Sequence, residues 1–151
     1  MTLVRFLHVL GIALWLGAGV VALLFATGAK QDTPMRLPRM LLLGRIYSFV
    51  IAPGAMLATA SGIALTMMAA SAGYGADLGA PALAAMQALG LLAGVLEIFV
   101  AFPTAQRLTG AAAASVDGAA WAGERMRARL VALLAVTLTL VVVSTYLGLL
   151  G

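Results

Sequence analysis

The chain has 151 residues, 64% of them hydrophobic and 9% charged, with a mean hydropathy of +1.11 and no cysteine. Ordinary soluble domains carry roughly 25% charged residues, so the composition excludes a soluble fold and points to one integral membrane domain over residues 1–151. Disulfides, thiolate metal sites and thiol nucleophiles are excluded outright. The formal charge of +4 and the pI near 10.4 come from basic residues that flank apolar runs, so lipid headgroups account for them and nucleic acid is not an expected partner.

Four apolar runs, about 3–26, 44–70, 80–105 and 130–150, are each long enough to cross ~30 Å of hydrocarbon at ~1.5 Å per residue. The predicted fold is an all-α membrane protein, a four-transmembrane-helix bundle. Within the first run Arg5 precedes an apolar stretch, as in a signal peptide, but the run is long and no cleavage pattern precedes Lys30, so it reads as a retained span. It carries the only histidine, His8, and a small-residue face made by Ala13, Gly17 and Gly19. Thr33, Pro34 and Pro38 break the chain before the second run.

In the second run Pro53 cannot donate to the carbonyl of Phe49, and with Gly54 beside it this predicts a kink or locally opened backbone. Ala58 and Gly62 supply a second small-xxx-small pair, and Ser71 to Gly79 form the next connection. The third run holds Gly90 and Gly94 as a GxxxG, and small residues of this kind let membrane helices approach closely. It also holds Glu97, whose only polar companions in the run are Gln87 and Thr104. A carboxylate near the centre of a spanning helix costs roughly 2.5–3.5 kcal/mol on insertion scales, which makes it a functional candidate that needs a partner. In the last connection, Gln106 to Arg129, Asp117 is a helix cap, Trp121 an interfacial anchor, and Arg125 and Arg129 sit one turn apart; the alternative is a plain extension of the fourth span.

Orientation follows from basic residues counted by connection. Lys30, Arg36, Arg39 and Arg45 flank the first, Arg107, Arg125, Arg127 and Arg129 the third, and the second has none. The positive-inside rule then sets the first and third connections in the cytoplasm and both termini on the outer, periplasmic side of a bacterial inner membrane.

Taking the span midpoints as the bilayer centre puts Glu97 about 6 Å to the cytoplasmic side and His8 about 10 Å to the outer side, about 16 Å apart in depth. At its own level Glu97 meets Gly19, Pro53, Gly54 and Thr137, and it reads as a neutral carboxyl donating to a threonine or to the carbonyl freed by Pro53. Near His8 lie Met67, Met86, Gln87 and Tyr146. Histidine with methionine ligates haem and copper, so His8 with Met67 or Met86 is a candidate cofactor site for haem b or copper, and hydrogen bonding of His8 to Tyr146 or Gln87 is the structural alternative.

The stretch from Phe6 to Gly19, FLHVLGIALWLGAG, resembles the first helix of a group of small bacterial four-helix membrane proteins of unknown function. That group is distantly similar to the CopD copper-resistance membrane domain and to HemJ-type protoporphyrinogen oxidases, which share a histidine followed one or two turns later by tryptophan and glycine. The similarity extends to Pro53, Ser61-Gly62, Phe102-Pro103 and Gln106-Arg107-Leu108. It implies His8 as a haem ligand on the HemJ side, or His8 with nearby methionines as copper-handling residues on the CopD side. The HemJ families also use a membrane lysine, whereas the lysine here, Lys30, falls in a connection.

Three functions follow as expectations. The first is a noncatalytic accessory subunit that packs in a larger respiratory or photosynthetic membrane complex, with other subunits or further copies of itself as partners. The second is a haem- or copper-binding protein using His8. The third is a small proton or cation transporter using Glu97. No serine, histidine and acid fall close together, so enzyme chemistry built from side chains alone is not expected.

Overall fold

The computed structural model describes residues 2–28, 36–74, 80–114 and 124–150, and within them every regular element is helical. In chain order these are α1 (Thr2–Gly28), α2 (Arg36–Ile46), the π-helix π1 (Tyr47–Ile51), α3 (Ala52–Ser71), α4 (Pro81–Leu96), π2 (Glu97–Ala101), α5 (Phe102–Ala114) and α6 (Glu124–Leu150). Four stretches are long and apolar enough to cross a membrane: Thr2–Gly28, Pro38–Ser71, Pro81–Ala114 and Glu124–Leu149. The protein is therefore a multi-pass, all-α bundle with four candidate spans. Lys30, Thr33, Pro34, Asp117 and Trp121 lie outside the described residues.

Three spans exceed their expected bounds. The second begins at Pro38 rather than Gly44, the third ends at Ala114 rather than Ala105, and the fourth starts at Glu124 rather than Leu130. An apolar run stops at its first polar side chains, but a helix continues while its backbone is paired and one face is packed. Beyond Ala105 that face is Leu108 and Ala112, both buried, where α5 packs on α2. The second span ends in a Schellman cap: Tyr74 N–H bonds Ala69 O at 3.1 Å, Gly73 N–H bonds Ala70 O at 3.2 Å, and Gly73 takes φ 90°.

The two π-helices have one cause. Pro53 and Pro103 each lack the N–H that would bond the carbonyl four residues back, and each ladder loosens just before its proline. The Ala52 N–H bonds Tyr47 O and the Phe102 N–H bonds Glu97 O, five residues back in both cases. The opened backbone expected at Pro53 is present, and Pro103 repeats it.

This correspondence belongs to an internal repeat with an offset of fifty residues. Between 41–59 and 91–109 the identical pairs are Leu41/Leu91, Leu42/Leu92, Gly44/Gly94, Phe49/Phe99, Val50/Val100, Pro53/Pro103, Ala55/Ala105 and Thr59/Thr109. Packing repeats as well, since Gly44 faces the Thr109 side chain and Gly94 faces that of Thr59. When residue i meets j and the counterpart of i meets the counterpart of j, the contact is two-fold. The second and third spans run antiparallel about that local axis, which crosses them at right angles.

The outer helices dock on this pair. α1 lies on α3, with Gly11 against the backbone of Ala58 and Gly54, while α4 packs on α6 and α1 on α6 through Gly19 and Leu138. At one end, here termed the basic end, two arginines bond the last carbonyls of α1: Arg39 Nη1 to Gly28 O at 3.1 Å and Arg127 Nη1 to Ala26 O at 2.9 Å. Cations at a helix C-terminus satisfy orphan carbonyls and oppose the helix dipole. Arg127 is buried and also holds Glu124 in an ion pair, so the start of α6 is tied to the end of α1.

Candidate functional site

Four polar side chains converge in the middle of the bundle. Trp15 is the central residue of α1, Thr137 is the central residue of α6, and Glu97 sits at the middle of the third span as the first residue of π2. Tyr47, the first residue of π1, is the repeat counterpart of Glu97. Glu97, Tyr47 and Thr137 are fully buried and Trp15 is buried. The longer third span thus moves Glu97 from its expected offset to the middle of the span, and it leaves His8 about 10 Å from the level of the span midpoints at ~1.5 Å per residue.

The carboxyl of Glu97 stands beside the side chains of Thr137, Trp15 and Tyr47. None closes a contact with the distance and angle of a hydrogen bond: both carboxyl oxygens, the Trp15 indole nitrogen and the Tyr47 hydroxyl are buried without a partner. Thr137 donates its hydroxyl weakly to Leu134 O at 3.3 Å. Burying a polar group unpaired is unfavourable, and most such groups in folded proteins are satisfied. One acid among three groups that can donate, with none engaged to it, is the chief chemical anomaly of this fold.

Sequence reasoning paired Glu97 with Thr137, and the structure brings these together. Pro53 acts through the backbone instead; its ring is exposed and its contribution is π1. Trp15 and Tyr47 were missed. Both left a signal, since Trp15 marks the midpoint of the first span and Tyr47 lies fifty residues before Glu97 in the repeat.

His8 is half-buried between α1 and α3. Its Nδ1 lies 2.8 Å from Ala58 O and 3.2 Å from Ser61 Oγ, and its ring rests over Gly62, where a Cβ would come within 3.0 Å. A carbonyl only accepts, so Nδ1 carries a proton, and in the neutral ring Nε2 keeps a lone pair. The Met86 sulfur packs against Gly148 in the α4–α6 pair, and Met67 is 67% exposed. Among the described residues no group of three or more His, Cys, Asp or Glu is placed to hold a metal ion.

The small residues divide by face. Gly19, Ala58 and Gly94 are buried at helix contacts, Gly90 faces Ser144, and Gly62 faces His8. Gly17 has no atom within 4 Å of the position a Cβ would take, and Ala13 on the same face is exposed.

Comparison with protein families, curated proteins and solved structures finds no match to this chain.

Proposed function

We propose that the bundle binds and releases a proton, or a small monovalent cation, at Glu97. The observation that carries this reading is a carboxyl group at the middle of the third span with both oxygens unpaired, ringed by Trp15, Tyr47 and Thr137. An ionised carboxylate accepts from all three, whereas a protonated one donates to the Tyr47 or Thr137 oxygen, because an indole N–H cannot accept. Each protonation state therefore has its own hydrogen-bond set within one arrangement of helices. Two spans with interrupted ladders at equivalent positions, and a polar site near the midplane between them, also match the architecture by which small solutes are passed across membranes. In this reading the basic end faces the cytoplasm of a bacterial inner membrane and both termini face the periplasm.

The test is flux in liposomes under an imposed pH or cation gradient. The parent protein dissipates the gradient, while Glu97→Gln, which keeps volume but cannot ionise, does not. Equal rates in parent and variant sink the proposal.

A specific observation favours a second reading, ligation of haem b or copper by His8. Ligating histidines usually donate the other ring N–H to a carbonyl or carboxylate, and the 2.8 Å contact from Nδ1 to Ala58 O supplies that restraint and leaves Nε2 available. Neither reading conflicts with a place in a larger assembly, since Ala13 and Gly17 present a small-residue face that this chain leaves open to another membrane helix.

A further inference from the structure

The residues that line one groove have counterparts fifty positions away, and only one of the two sets is polar. At the basic end, α2 with π1 and α5 enclose an open groove of about 270 Å³. It is lined by Ser48 and Gln106, with Gln106 Nε2 donating to Ser48 Oγ at 2.8 Å and Ser48 donating to Gly44 O at 2.9 Å. Arg45 stands on its wall and Leu41 and Phe49 flank it, Phe49 being 78% exposed. At the equivalent place toward the other end, Val95 stands for Arg45, Ile98 for Ser48 and Met56 for Gln106.

Depth explains the difference. The second span has 34 residues, about 51 Å of helix against ~30 Å of hydrocarbon, so a centred span projects about 10 Å at each end. Arg45 lies seven residues in from Pro38, which sets it about 10 Å from the end of the span and thus at the boundary between hydrocarbon and headgroups. Among the described residues its guanidinium makes no ion pair. A cation at that depth, beside the Ser48–Gln106 pair and between two exposed apolar side chains, matches a molecule that is anionic at the headgroup and apolar below it.

We propose that this groove seats the phosphate of an anionic phospholipid from the leaflet at the basic end, with Arg45 paired to the phosphate and the start of an acyl chain along Leu41 and Phe49. Guanidinium forms charge-assisted, often bidentate, bonds to phosphate, and Gln106 keeps its side-chain carbonyl free to accept from a glycerol or headgroup hydroxyl. Free phosphate shares the charge but has no use for the apolar flanks.

The full-length protein in mild detergent is titrated with phosphatidylglycerol and the bound lipid counted by native mass spectrometry, with inorganic phosphate as a competitor. The parent binds a saturable lipid; Arg45→Val, which copies the residue at the equivalent position 95, and Arg45→Gln each weaken it about tenfold, the loss expected for one charge-assisted contact. Arg129→Gln, at an exposed position on α6, leaves binding unchanged. Parent-like binding by both Arg45 variants, or displacement of the lipid by inorganic phosphate, overturns the proposal.

Discussion

Replacing Gly11 by alanine tests how closely the bundle is built. A Cβ there would lie 2.5 Å from the Ala58 nitrogen and 2.9 Å from both Ala58 Cα and Gly54 O, whereas ordinary contact begins at 3.4 Å. These are backbone atoms, which no rotamer change moves aside, so α1 and α3 must part by about 0.9 Å, the difference between the 2.5 Å and 3.4 Å distances. Overpacking of this kind costs typically ~1–3 kcal/mol. The same movement lengthens the 2.8 Å contact of His8 with Ala58 O beyond hydrogen-bonding distance, a loss of about 0.5–1.5 kcal/mol. At about 2–4 °C per kcal/mol for a chain of this size, Gly11→Ala melts roughly 5–15 °C below the parent in mild detergent, followed by circular dichroism. Gly17→Ala is the matched control: its added methyl meets nothing within 4 Å and alanine is the better helix former, so its melting temperature holds or rises slightly. Equal melting of the two variants would refute the α1–α3 interface described here.

The repeat supplies a paired prediction. Thr59 Oγ1 is buried without a partner, whereas its counterpart Thr109 donates to Ala105 O at 2.9 Å. Valine at 59 removes an orphan hydroxyl and leaves stability unchanged or raised by about 1 kcal/mol, but valine at 109 costs about 0.5–1.5 kcal/mol, so thermal melts of the two variants move apart. Ligation by His8 predicts a Soret band, or copper on metal analysis, in parent protein purified from cells supplied with both, and its loss in His8→Ala. Parent and variant without either signal would end that reading.

The four-span fold was legible because apolar runs of spanning length have few other uses in a chain this poor in charge. Span ends were not, since Gln106 and Arg107 read as a connection when hydropathy is the only guide, although Leu108 and Ala112 carry the helix onward against α2. Glu97 was legible as an isolated acid in an apolar run. Thr137 was legible at the same level, but Trp15 and Tyr47 were not, because tryptophan and tyrosine in a membrane helix serve equally as interfacial anchors. Small-residue spacing in the first span pointed to Ala13, Gly17 and Gly19, and Gly19 does meet Leu138 on α6. The contact with α3 uses Gly11, because Gly54 on the facing helix leaves room there for backbone to meet backbone. What a glycine touches depends on the volume opposite it, and that lies outside any pattern within one helix.

The fifty-residue repeat needed no structure to be seen, and it changes how Glu97 is understood. A local two-fold axis presents one position twice, at 47 and at 97, with both side chains buried in the same interior. Two carboxyls there would repel in a medium of low dielectric, and two tyrosines would supply no acid. With tyrosine on one copy and glutamate on the other, the repeated position sets a hydroxyl able to donate beside a carboxyl able to accept, and the flanking helices add the nearby Trp15 N–H and Thr137 hydroxyl. The same break of symmetry at 45 and 95 follows from depth alone, since an arginine is tolerated at the headgroup boundary and a valine belongs in hydrocarbon. At 47 and 97 both side chains are fully buried and stand beside each other, so their difference is best explained by the donor and acceptor chemistry each offers the other.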